Sequence, residues 1–325
     1  NTGCSDKKVI PDSSKSSGEQ AEDDIGTVTK QITNDRFNAA LFHKRAQLYL
    51  KRKNIDSALN DISVAIKIDS VSAPIYLTLA QIHFANADIV LASEALKSCI
   101  SFDPANIEAL LKMAEMQFYM NKMKESIQYL KKVTDIDRYN DRAYFIHGMI
   151  FKEIGDTAKA ISSFQTAAVN NPDNFEAYLQ LGLLHYGLQD KLAIDYLDNA
   201  LNLNPKSIEA LYTKGMFFQN VGEIDKAIDI YYKILDIELS NKNAHYNLGY
   251  INLNFKNDFN TAVQHFGNAI KTDSAYFQAY YMRGYCKERL GDYKQARADY
   301  ENALKFETNY ELALSGLNRL DAVEK

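Results

Sequence analysis

The sequence predicts an all-α chain built from stacked helix–turn–helix units. Residues repeat with a period of about 34, small side chains recur at fixed offsets within it, and only five prolines and fourteen glycines interrupt 325 residues. Most of the chain can therefore run as continuous helix.

Composition narrows the function. The chain is 46% hydrophobic and 24% charged with a net charge of −5, which offers no general attraction to nucleic acid or to an anionic lipid surface. No stretch approaches eighteen apolar residues, so no spanning helix is expected. The three cysteines, Cys4, Cys99 and Cys286, are odd in number and include no CxxC pair. Cys99 and Cys286 read as small core side chains.

The first four residues, Asn1-Thr2-Gly3-Cys4, resemble the end of a bacterial lipobox, matching it at Gly3 and Cys4 and departing from its usual leucine at Asn1. The resemblance implies lipidation of the Cys4 sulfur and anchoring to the outer membrane on its periplasmic face. Residues 5–34 are rich in serine, charge and glycine and are expected to be a disordered tether.

From residue 35 to 310 the chain is periodic. The blocks are 39–72, 73–106, 107–140, 141–174, 175–207, 208–241, 242–276 and 277–310. Position 8 is always small: Ala46, Ala80, Ala114, Gly148, Gly182, Gly215, Gly249 and Gly284. Position 20 is Ala58, Ala92, Ser126, Ala160, Ala193, Ala227, Ala262 and Ala296. Position 24 is large and apolar, from Ile62 through Phe164 and Phe266 to Tyr300. Small residues at 8 and 20 let two helices approach closely, and the larger ones fill the space around them.

These eight blocks resemble the tetratricopeptide-repeat family. The last shows it best, with Tyr280, Gly284, Gly291, Tyr293, Ala296, Tyr300 and Ala303 in the family's places; tryptophan is never used at position 4, and five blocks lack the closing proline. The resemblance implies a right-handed superhelical solenoid of about eight repeats. Residues 311–325 resemble the start of a ninth unit and suit a capping helix over the open end.

In that family the first helix of each unit lines a concave surface. Position 5 and 9 residues there are aromatic or long and apolar from the fourth block on: Phe145, Met149, Leu179, Leu183, Tyr212, Met216, Tyr246, Tyr250, Tyr281 and Tyr285, with Tyr186 at position 12. Asn220, Asn247 and Asn254 add amides able to bond a peptide backbone. These fourteen residues are the expected groove, and an apolar or aromatic-rich protein segment is the expected ligand. Packing of the inner columns on themselves, a carboxy-terminal helix folded back over them, and a dimer surface are the competing uses. Lys44, Lys112 and Arg142 do not make the set with which co-chaperone repeats grip a carboxylate.

No catalytic chemistry emerges. The six histidines fall in separate blocks without ligand spacing, and no phosphate-binding glycine loop, GxSxG or HExxH is present. Lys122, Lys124, Lys131 and Lys132 read as a solvated face. The expectation is a non-enzymatic adaptor without cofactor or small-molecule substrate, serving envelope assembly, secretion or cell-wall machinery. The alternatives are a soluble cytoplasmic scaffold and a regulatory subunit of an envelope enzyme.

Overall fold

The computed structural model describes residues 17–323, and every regular element among them is an α-helix. The chain divides into two compact units, Asn1–Ile150 and Phe151–Lys325. In the first, α1 (Ser17–Asn34) precedes the pairs α2 (Ala39–Lys51) with α3 (Ile55–Ile68), α4 (Ala73–Ala85) with α5 (Ile89–Phe102), and α6 (Ile107–Tyr119) with α7 (Met123–Ile136); α8 (Asp141–Glu153) reaches the division. The second holds α9 (Thr157–Asn170), then α10 (Phe175–Gly187) with α11 (Leu192–Leu203), and α12 (Ile208–Asn220) with α13 (Ile224–Ile237). It continues with α14 (Lys242–Asn254) and α15 (Phe259–Thr272), α16 (Phe277–Arg289) and α17 (Tyr293–Phe306), and ends in α18 (Glu311–Val323). The architecture is an all-α repeat solenoid.

Side-chain caps set eight of the helix starts in one common way. Asn54, Asn106, Asp156, Asn174, Ser207, Asn241, Asp258 and Asp292 each accept the backbone N–H three residues on, satisfying a donor the helix itself cannot. The turn inside every repeat is made the same way. Its fifteenth residue has positive φ, at Lys53, Ala87, Asn121, Gly155, Gln189, Gly222, Asn257 and Gly291, with one added residue before Asn257. That left-handed residue stops one helix and aims the chain back along it.

Packing within a repeat follows from the missing side chain at position 8. A Cβ on Gly182 would stand 2.7 Å from Leu197, on Gly215 2.9 Å from Tyr231, on Gly249 2.9 Å from Phe266 and on Gly284 3.0 Å from Tyr300. The bulky residue at position 24 thus lies directly on the position 8 backbone. Tyr300 also touches the next helix, since a Cβ on Gly316 would come within 2.6 Å of it. Stacking of such pairs buries Ile62, Leu96, Leu130, Phe164, Tyr231, Phe266 and Tyr300 completely.

The expected tether over 5–34 ends sooner than the sequence suggested. Residues 17–34 form α1, which packs on α2 with Val28 and Ile32 buried, and Arg45 donates from Nη1 to Thr29 Oγ1 at 3.0 Å. Ile25, Val28 and Ile32 make an apolar stripe at helical spacing, hidden when the stretch is read by average composition. Cys4 and residues 5–16 lie outside the described residues. At the other end α18 buries Ala313 and Leu320 against the last pair.

Candidate functional site

First helices of neighbouring repeats lie side by side, and where the residues at their turn ends fail to meet, a cleft opens. The larger one, about 660 Å³, lies between α4 and α6 and is lined by Gln81, Phe84, Ile89, Lys112, Glu115, Met116, Tyr119 and Met120. A second, of about 480 Å³, lies between α10 and α12 and is lined by Tyr186, Gln189, Phe217, Asn220 and Val221. The two occupy the same register of the repeat: position 12 of one block faces positions 10, 13 and 14 of the next. In the second cleft Asn220 Nδ2 donates to Tyr186 Oη at 3.3 Å. In the first those positions hold Tyr119 and Phe84, which have no such bond to make, so that cleft is apolar.

Tyr119 ends α6 two residues before the left-handed Asn121 and is 83% exposed. Ile89 and Met120 are exposed beside it. An ion-pair network borders the cleft: Arg142 donates to Glu108 at 2.8 Å and to Glu115 at 3.2 Å, and Lys112 stands 3.3 Å from Glu108. Burial alone would raise the Glu108 carboxyl, but the Arg142 guanidinium and the Lys112 ammonium hold it below its ordinary range. Lys112 and Arg142 are thus engaged with carboxylates of their own chain.

The fourteen residues expected to form the groove are placed differently from one another. Tyr186 and Asn220 line the second cleft. Leu179 is core, packed with Leu197, Ala200 and Ala210, and Leu183 packs against that cluster. Asn247 is buried, its Nδ2 donating to Tyr212 Oη at 3.2 Å and reaching Met216 Sδ at 3.5 Å. Phe145 and Met149 are half-buried on α8. Asn254 is exposed and donates to the Tyr250 carbonyl at 3.0 Å.

The aromatic columns toward the carboxy terminus are half-buried instead of open. Tyr246 stacks on Tyr276 at 5.1 Å between ring centroids and meets Phe266 at 5.5 Å. Burial, reinforced by the neighbouring tyrosines, pushes its hydroxyl pKa up. Tyr250 lies 6.5 Å from Phe255. Tyr281 is enclosed by Tyr285, Tyr300 and Tyr310, the last meeting it edge-on at 5.5 Å. From α18, Arg319 sits 5.9 Å from the Tyr285 ring and donates from Nε and Nη2 to Glu288 at 2.9 Å each. Residues of the chain's own last helix and inter-repeat turns therefore pack on Tyr246, Tyr281 and Tyr285.

No residue lining the open cleft is among the fourteen, although Gln81 and Glu115 at position 9 and Phe84 at position 12 stand in the columns expected to line the concave surface, and the sequence carried a further signal. Position 13 reads Lys51, Ala85, Tyr119, Glu153, Gly187, Asn220, Asn254 and Arg289. Tyr119 is the single large ring in that column.

Among the described residues no three His, Cys, Asp or Glu side chains converge as metal ligands, and no helix is long and apolar enough to cross a membrane. Cys99 and Cys286 are fully buried, and burial pushes their thiols up to about 11 and about 12. His185 is buried with Nδ1 2.8 Å from Asp190. One pair of histidines does meet: His245 Nδ1 lies 3.2 Å from His265 Nδ1.

Comparison with known proteins agrees with this architecture. Family models described as tetratricopeptide repeat match residues 108–136, 147–193, 208–241 and 277–310. The Protein CTR9 homolog of Arabidopsis thaliana is 23% identical over 267 residues, covering 78% of this chain and 24% of that protein. The mitochondrial import receptor subunit TOM70 of Homo sapiens is 22% identical over 267 residues, covering 78% of this chain and 44% of that protein. The chain thus spans less than half the length of either relative. A solved tetratricopeptide repeat protein from Parabacteroides merdae superposes with a TM-score of 0.52 at 20% identity, covering 76% of this chain and 98% of the other. With its helix pairs, its 34-residue period and these matches, the chain belongs to the tetratricopeptide-repeat family.

Proposed function

We propose that this chain is a non-catalytic scaffold that captures a partner protein by an apolar or aromatic-rich segment laid into the cleft between α4 and α6. The observation that carries the reading is Tyr119, 83% exposed at the rim of a cleft with Phe84 and Met116 in its lining. A large ring left in water beside an apolar concavity is typical of an interaction site. The similarity to TOM70, a mitochondrial import receptor subunit by name, supports a protein ligand as the class.

The test is capture of partners by the full chain, followed by mass spectrometry. Phe84→Ala with Tyr119→Ala is expected to release the partner, each lost anchor weakening binding by about 2 kcal/mol. Tyr246→Ala with Tyr281→Ala is expected to disturb packing before binding, since both rings sit among the chain's own aromatics. If the first pair leaves capture intact, the binding surface lies elsewhere.

We further propose that the scaffold works in the bacterial envelope, anchored by lipid on Cys4 to the periplasmic face of the outer membrane, in assembly, secretion or cell-wall machinery. The support is Gly3-Cys4 and the serine- and charge-rich residues after it. Metabolic labelling with a palmitate analogue, compared between wild type and Cys4→Ala, tests it; a wild type that takes up no label and stays in the soluble fraction defeats it.

A further inference from the structure

Repeat seven, α14 with α15, carries a feature that partner binding does not use. His245 projects from the start of α14 and His265 from the middle of α15, and their Nδ1 atoms are 3.2 Å apart with ring centroids at 5.5 Å. The other nitrogen of His245, Nε2, is 3.1 Å from the Leu239 carbonyl. A carbonyl only accepts, so Nε2 carries the hydrogen and Nδ1 of neutral His245 is a bare lone pair.

We propose that His245 and His265 form a two-histidine chelate for a borderline divalent metal ion of the zinc class. Neutral imidazole is the preferred ligand of that class. Two nitrogens 3.2 Å apart, each bonded to one ion at about 2.0–2.1 Å, subtend roughly 100° at it, close to the tetrahedral angle zinc adopts. The Leu239 carbonyl supplies the outer hydrogen bond that fixes the tautomer and orientation of a metal-bound histidine. Without metal, His265 donates its Nδ1 hydrogen to His245. When the ion takes that place the hydrogen moves to His265 Nε2, so both imidazoles stay neutral and no net proton is released. A cleft of about 300 Å³ lies beside His245, lined also by Leu239, Ser240, Asn268, Lys271 and Thr272 and not by His265. With no third His, Cys, Asp or Glu converging among the described residues, water would complete the ion's coordination. Two protein ligands make a site weaker than a structural zinc centre, and the ion ties the two helices of one repeat together.

The experiment is titration of the full chain, stripped with chelator, with zinc sulfate, read by calorimetry and by the imidazole resonances in NMR. One ion per chain is expected, with the His245 and His265 signals shifting and those of His43 and His147 unmoved. His265→Ala is expected to weaken binding at least tenfold while keeping the wild-type helical signal without metal. The NMR readout on unmodified protein does not depend on any variant folding. No saturable binding, shifts confined to other histidines, or undiminished affinity in folded His265→Ala would each overturn the site.

Discussion

At the scale of single residues, stability rests on contacts too close to admit a substitution. Gly249 has the Phe266 ring 2.9 Å from where its Cβ would be, and that ring is fully buried with no room to withdraw. Gly249→Leu is expected to cost about 1–3 kcal/mol by forcing helix and ring apart, read as loss of amide protection in α14 and α15. Buried imidazoles give a second handle. Burial lowers the pKa of His43, His147 and His245, and burial with the neighbouring His245 lowers His265 to about 4. The unfolded chain takes up these protons near pH 6.5, whereas folded His265 stays neutral down to about 4. Their contribution is therefore whole above pH 6.5 and is lost as pH falls toward 4. In metal-free buffer the urea midpoint is expected to be lower at pH 5 than at pH 7.5, and His265→Gln to reduce the difference; a midpoint that holds or rises at pH 5 contradicts this.

At the scale of the helix and its turn, one device is repeated eight times with unequal residues. Glycine fills the left-handed fifteenth position at Gly155, Gly222 and Gly291, but alanine does so at Ala87. Alanine strains there, and its exposed position leaves nothing to lose. Ala87→Gly is expected to stabilise by about 0.5–1 kcal/mol, read as slower exchange in α4 and α5. The pairs at the two ends of the array share another device. Arg45 on Asp61 and Arg283 on Asp299 are two-pronged ion pairs at identical repeat positions, with both carboxylates buried. Asp299 also meets Lys287 at 2.9 Å. Asp299→Asn would leave two cations under-compensated and is expected to cost about 3 kcal/mol. Hydrogen exchange of α16 and α17 is the suitable readout, because a repeat array need not unfold in one step.

Across the whole molecule, the sequence disclosed the skeleton more readily than the surface. The skeleton was legible because it depends on residues whose size alone matters: alanine or glycine at positions 8 and 20, a bulky partner at 24. The groove was less so, because a position in a helix names the face a side chain leaves from and not what lies on it. Tyr246 and Tyr281 stand at positions expected to line the groove, yet Tyr276 and Tyr310, each the last residue of its block in the inter-repeat turn, come to rest against them. Tyr119, at the end of α6, by contrast stays 83% exposed. The α1 stripe was missed because three apolar residues at helical spacing vanish in the average of a polar stretch.

Tyr119 is thus the exposed ring proposed to meet a partner, whereas Tyr281 is packed by the chain's own tyrosines. Photo-crosslinking with a benzophenone amino acid placed in turn at Tyr119 and at Tyr281, in the full-length chain in its native cell, separates the two. A discrete adduct of higher mass from position 119, with none from position 281, is the predicted result. Adducts from 281 and none from 119 would contradict it.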